Sequence, residues 1–295
     1  RAIPGGAAHA IVHHDRDAHG LYPTMPPHLG FTHDERREGE DFLRQVTGEA
    51  HPRFVCLAVR DAAYKRAQFS DRDAHKDSYR NASIANYRLA ARRLAEDGYW
   101  VFRMGAAVAE PLGVDHPRVV DYATNGMRTD FLDVYLGAHC AFCITTGLGI
   151  DSIPEIFRRP RLFTNYIPVA NFGKYGPDVV IVPREYEDIR TGDHVGLREL
   201  IAKGSDLTSC TSAYGFEAAG IRTRENDAAV IADAAEEMRH VVEGRYNVTE
   251  DAAGRQRAFW DLYRDLRPPG IVSARQDHRL TISDAFLSRH SSWGR

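Results

Sequence analysis

Apolar positions along the chain follow two periodicities. Unbroken runs at 54–59 (Phe-Val-Cys-Leu-Ala-Val), 99–102 (Tyr-Trp-Val-Phe), 141–144 (Ala-Phe-Cys-Ile) and 178–183 (Asp-Val-Val-Ile-Val-Pro) have the length and character of strands buried on both faces. Residues 118–122 and 161–165 are two further strand candidates. Other stretches carry apolar residues at helical spacing. Residues 83–96 place Ile84, Tyr87, Leu89, Ala90 and Leu94 between charges before Gly98 ends the helix. Residues 129–136, 226–242 and 253–266 read the same way, 198–201 reads as a short helix and 282–290 as a last small one. At 226–242 the stripe of Ile231, Ala234, Ala235, Met238 and Val242 is core rather than a partner face, with Glu225-Asn226 as its N-terminal cap. Earlier, Thr32-His-Asp-Glu35 has the form of a capping box and opens a connector helix to about Val46.

Strands alternating with helices through short links predict an α/β fold, a Rossmann-like parallel sheet flanked by helices with right-handed crossovers. The expected division is an N-terminal segment and connector over 1–50, then a nucleotide-binding domain with C-terminal helices over 51–295. The chain opens on Arg1, which reads as a processed or truncated start.

Composition narrows the function. With 38 basic and 41 acidic residues well mixed, a net charge of −3 argues against a dedicated nucleic-acid binder. No apolar stretch reaches the roughly eighteen residues of a membrane span. Cys140 and Cys143 form a C-x-x-C, but both lie in an apolar run without a second pair, as does Cys56 in another. They read as buried, reduced core thiols of a cytoplasmic protein. His13, His14, Asp15, Asp17 and His19 are metal-ligand types too closely spaced on one loop to give a geometry, and read as a polar loop. The expectation is no metal.

The candidate chemistry sits where strands end. In an open α/β sheet those tips face the ligand crevice. Here they carry Arg60-Asp61, Arg103-Met104-Gly105 and Thr145-Thr146-Gly147, two guanidiniums and a glycine turn that leads into a short helix, with Ser152 as its N-cap. That set is complementary to a pyrophosphate, although the turn alone is equally an ordinary β–α connection. A dinucleotide fingerprint is poor, because Ser152 stands where a third glycine belongs, and no lysine follows the glycines as a Walker loop requires. The polar stretch 68–80 is long enough to be a lid.

Segments 59–64 (Val-Arg-Asp-Ala-Ala-Tyr), 78–81 (Ser-Tyr-Arg-Asn), 98–105 (Gly-Tyr-Trp-Val-Phe-Arg-Met-Gly), 129–133 and 145–149 resemble a family of bacterial glycosyltransferases associated with surface-polysaccharide genes. The resemblance covers about residues 28–290, and with the GT-B layout it implies that 1–50 is what remains of an acceptor domain. More distantly, the layout resembles the C-terminal, donor-binding half of GT-B enzymes, and Arg60-Asp61 resembles the arginine motif with which fucosyltransferases hold a donor diphosphate. The resemblance implies transfer of a hexosyl or deoxyhexosyl group from a nucleoside-diphosphate sugar to a glycan or small-molecule hydroxyl, with no cofactor and no metal. On this analogy Arg60, Arg103, Gly105, Thr145, Thr146 and Gly147 line the diphosphate. Asp61, with His75 behind it, is the candidate base. Tyr64, Tyr79, Arg80, Asn81 and Glu225 are further donor-site candidates, Glu225 for the ribose. A nucleotide-sugar epimerase, a pyruvyl transferase and a non-catalytic nucleotide-binding module stay open as alternatives.

Overall fold

A computed structural model describes residues 25–64, 75–172, 178–203, 207, 210–266 and 280–294. The histidine-rich start, most of the expected lid and residues 173–177 lie outside the described residues.

Seven parallel strands form the main sheet in the order β3-β2-β1-β4-β5-β6-β9. They are β1 (Phe54–Ala58), β2 (Trp100–Met104), β3 (Val119–Val120), β4 (Phe142–Thr145), β5 (Arg161–Tyr166), β6 (Val179–Pro183) and β9 (Leu280–Ile282). A separate antiparallel pair joins β7 (Glu185–Asp188) to β8 (Ile221–Arg224). The first four runs read as strands from sequence are strands. The strand order reverses between β1 and β4, so the sheet has a switch point there, where such folds open a crevice beyond the carboxyl ends.

Each strand's alternation divides the core. Val55 and Leu57 of β1 face one side with Val101, Phe142 and Ile144, under helices α2 (Arg88–Glu96) and α7 (Ala228–Val242). Phe54, Cys56 and Ala58 face the other with Trp100, Phe102 and Met104, under α1 (His33–Thr47) and α3 (Asp130–His139). Cys56, Cys140 and Cys143 are buried free thiols on this second side. The Thr32–Glu35 capping box closes the start of α1 reciprocally. Gly39 lets α1 lie flat on α3, since a Cβ there would stand 2.3 Å from the buried Tyr135 ring.

The remaining helices are α4 (Ser152–Ile156), α5 (Leu197–Ala202), α6 (Ala213–Ala218), α8 (Glu250–Leu266) and α9 (Asp284–Leu287). Three local expectations are corrected. Residues 84–87 form a 3-10 turn before α2 rather than part of one helix, with Ser83 capping the turn. Ser152 lies inside the first turn of α4 rather than at its cap. Asp227, not Glu225-Asn226, caps α7, its carboxylate accepting from the Val230 N–H at 2.8 Å. Among the described residues no helix is long and apolar enough to cross a membrane.

Candidate functional site

The tips of β1 and β4 are stitched together across the switch point. The Arg60 N–H donates to Thr146 Oγ1 at 2.9 Å, and the Arg60 carbonyl accepts from the Ala82 N–H at 2.8 Å. Beyond β4 the chain turns at Gly147. Its φ of +79° favours glycine, and a Cβ there would stand 3.3 Å from the Tyr166 ring. The Gly147 N–H donates to Thr145 Oγ1 at 3.2 Å, and the Leu148 N–H donates to Asp151 Oδ2 at 2.7 Å. Thr145 Oγ1 also donates to that carboxylate at 3.1 Å. Burial pushes the Asp151 carboxyl up to about 6 against these hydrogen bonds and nearby Arg161. The turn thus carries its own carboxylate. Of the turn amides expected to cradle a phosphate, that of Gly147 is committed inside the fold, as is the following Leu148 N–H, and α4 is too short to present a helix-terminal anion site.

Arginine chemistry is more extensive than the sequence alone implies. Arg103 leaves β2 on the side of α2 and α7, and its side chain is almost fully buried. None of its three guanidinium nitrogens has a hydrogen-bond partner; Asp121 Oδ1 and Asp61 Oδ2 stand 3.8 and 4.0 Å away. Burial pulls its pKa below the usual arginine value, and the two aspartates oppose that shift. Arg60 is buried too, with Asp77 Oδ2 at 3.5 Å, and its Nε has no hydrogen-bond partner. Burial and the neighbouring Arg80 charge pull its pKa down. Arg80 likewise has a buried Nε without a partner.

The fourth member is Arg184, one residue past β6. Its Nη1 donates to the Asn81 carbonyl at 2.8 Å, its Nε has no partner, and burial lowers its pKa against Glu225, Tyr87 and Tyr186. A strand followed by arginine was the signal that singled out Arg60 and Arg103, and it is equally present at Pro183-Arg184. Electrostatic coupling runs from Arg60 to Arg80, from Arg80 to Tyr79, from Tyr79 to Tyr186 and on to Arg184. Asp61 acts in turn on both Arg60 and Arg103, so the four arginines share one neighbourhood along the carboxyl edge of the sheet.

The acidic candidates hold loops. Asp61 Oδ1 accepts from the Ala63 N–H at 2.8 Å and Oδ2 from the Ala109 N–H at 2.7 Å, which ties the β1 tip to the segment after β2. Glu225 Oε2 accepts from the Ser83 N–H at 2.7 Å and from Asn86 Nδ2 at 3.1 Å. His75 faces Glu217 Oε1 through Nε2 at 3.2 Å, edge-on to the Tyr214 ring. Tyr79 is buried against Phe216 of the same helix α6, and burial raises its phenol pKa. Tyr64 is exposed, and Gly105 follows directly on β2.

Beneath the arginines lies a buried polar lattice that the sequence did not disclose. The Asn165 N–H donates to Asn226 Oδ1 at 2.8 Å, and the Asn226 N–H donates to Asn165 Oδ1 at 2.7 Å. Asn226 Nδ2 donates to the Pro183 carbonyl at 2.8 Å, and Asn165 Nδ2 to Tyr87 Oη at 3.1 Å. Tyr87 Oη lies 2.8 Å from Thr164 Oγ1, and burial pushes its pKa up to about 12. This lattice fixes the carboxyl ends of β5 and β6 to the start of α7. Asn165 adopts a positive φ of 51°, and asparagine tolerates that region better than most residues.

Among the described residues, Glu185, His194 and His290 form a group with metal-binding spacing. Arg184 and Glu185 are successive, and their side chains point to opposite sides, toward Asn81 and toward His290. Comparison with protein-family models, with curated proteins and with solved structures finds no match, so the site is read from its own geometry.

Proposed function

We propose that the carboxyl edge of the sheet binds the diphosphate of a nucleoside-diphosphate sugar and that the protein transfers the sugar to an acceptor hydroxyl. The observation that supports this most is the set of four arginines at one edge, Arg60, Arg80, Arg103 and Arg184, whose buried guanidinium nitrogens include six without a hydrogen-bond partner. Buried donors left unmet cost about 1–3 kcal/mol each, and a diphosphate offers oxygen acceptors of matching charge and shape. Asp61 and Asp121 hold Arg103 in place at near-contact distance while leaving its nitrogens available.

As the sugar–phosphate bond breaks, charge grows on the leaving diphosphate, and fixed guanidiniums in a water-poor site stabilise that charge without reorganising. An acceptor hydroxyl must also lose a proton. His75, oriented by Glu217, fits that role better than Asp61, whose two oxygens each already accept a backbone N–H. The resemblance to bacterial glycosyltransferases agrees with this reading.

The test is thermal stabilisation by a panel of nucleoside diphosphates and their sugars. A ligand at a hundred times its dissociation constant adds about 2.7 kcal/mol. One nucleotide should stabilise the wild type, less so Arg60→Ala and Arg103→Lys, while His75→Ala binds normally but no longer hydrolyses or transfers the sugar. If no nucleotide stabilises the folded chain, the proposal fails.

A further inference from the structure

Glu185, His194 and His290 are 105 residues apart at their extremes yet offer ligand atoms all within 4.8 Å of one another. They line an open cleft of about 320 Å³ between the antiparallel β7–β8 pair and the C-terminal segment. His290 Nε2 lies 3.7 Å from Glu185 Oε2, and the His194 and His290 rings have centroids 4.9 Å apart, tilted by 39°. Ligands about 2.0–2.2 Å from a shared tetrahedral ion lie ~3.4 Å from each other. Binding would draw the three ligand atoms together from their present spacing.

The surroundings suit coordination. His290 Nδ1 faces the Phe286 carbonyl at 2.9 Å, so that nitrogen donates there and Nε2 is the nitrogen directed at Glu185. This is the outer-shell arrangement that metal-binding histidines commonly have. The two arginines that line the cleft each have a carboxylate partner, Arg224 in Glu187 at 3.0 Å and Arg289 in Asp233 at 2.6 Å, and each carboxylate is shared with a second arginine, Arg222 and Arg93 respectively. Glu185 is the carboxylate that faces the two histidines.

We propose that Glu185, His194 and His290 bind a divalent transition-metal ion, with its remaining coordination positions open to the cleft. Two imidazoles and one carboxylate favour zinc-class ions over calcium or magnesium, which prefer all-oxygen sets. The ion would tie together β7, the segment before α5 and the turn after α9. That turn carries Trp293, which is buried against Tyr186 and Phe259. This site is independent of the transferase reading, and either can fail without the other.

Trp293 supplies a built-in reporter. Its indole N–H now donates to His194 Nε2 at 3.2 Å. Coordination through that nitrogen exchanges the hydrogen bond for a bond to the metal and changes the indole's environment.

The experiment uses the full chain, stripped with a chelator and dialysed against Zn2+. One equivalent of zinc should bind and alter tryptophan emission, and Trp293→Phe should remove the emission change while keeping the zinc. Glu185→Gln and His290→Ala should each weaken binding by more than the roughly 10–100-fold typical of losing an outer-shell partner. Glu185→Gln is nearly isosteric and guards against misfolding in the second variant. No zinc bound to the wild type overturns the proposal. Zinc that survives both substitutions but is lost on changing His13 and His14 to alanine also overturns it.

Discussion

Asn226→Ala tests whether the buried lattice holds the floor of the site. The substitution removes two hydrogen bonds at once, from the Asn165 N–H and to the Pro183 carbonyl, both at 2.8 Å. Asn165 and Asn226 are almost completely buried, so water cannot take their place. Each orphaned group costs about 1–3 kcal/mol, which gives a loss of about 2–6 kcal/mol. A native domain has only about 5–15 kcal/mol to lose. With unfolding entropy of about 2.1 cal/mol/K per residue, this lowers the Tm of a 295-residue chain by roughly 3–10 °C. The bond from the Asn226 N–H to Asn165 Oδ1 survives, because it uses backbone at position 226. Asn226→Asp keeps the acceptor but turns an oxygen toward the Pro183 carbonyl and buries a charge, so it should destabilise at least as much at neutral pH. Urea and thermal unfolding of the three proteins are the assays. A Tm drop of less than about 1 °C for Asn226→Ala, with an unchanged urea slope, would refute the reasoning, since surface-like tolerance is incompatible with two orphaned buried groups.

Three further outcomes follow from the same geometry. The Asp151 carboxyl, pushed up to about 6 from an ordinary 3.8, binds its proton more tightly folded than unfolded, so its contribution is most favourable at low pH and falls as pH rises through that window. The cost at neutral pH is roughly 3 kcal/mol, and Asp151→Asn should remove the slope between those values; parallel stability–pH curves would rule this out. Gly39→Ala should destabilise by about 1–3 kcal/mol through overpacking against the Tyr135 ring, and a neutral result in chemical denaturation would mean that α1 does not seat as described. Cys56, Cys140 and Cys143 should resist a disulfide reagent until the protein unfolds. The Cys140 side chain and burial push the Cys56 thiol up, and burial pushes Cys143 up, so prompt native-state labelling of any of these would contradict the packing.

What the sequence determined by itself was local. Unbroken apolar runs gave the strands β1, β2, β4 and β6, because a strand covered on both faces needs no polar positions. Thr32 and Glu35 announced the start of α1, since both halves of a capping box lie within one turn. The position of Arg60 just past β1 was legible because that strand end was legible, whereas Arg103, expected just past its strand, is the penultimate residue of β2, in register with Leu57. The tertiary structure decided which hydrogen-bonding groups remain available there. A turn of small residues looks the same in sequence whether its amides face a ligand or, as here, Thr145 and Asp151. Nothing local links Asn165 to Asn226, or Glu185 to His290 across 105 residues. The antiparallel β7–β8 pair is charge-rich and carries little apolar alternation. Its pairing is favoured by Glu187 facing Arg222 and Arg224 across the strands, a complementarity that exists only once the two segments meet. Backbone propensity and burial act over a few residues and can be read along the chain, whereas hydrogen-bond satisfaction depends on partners that only folding brings together.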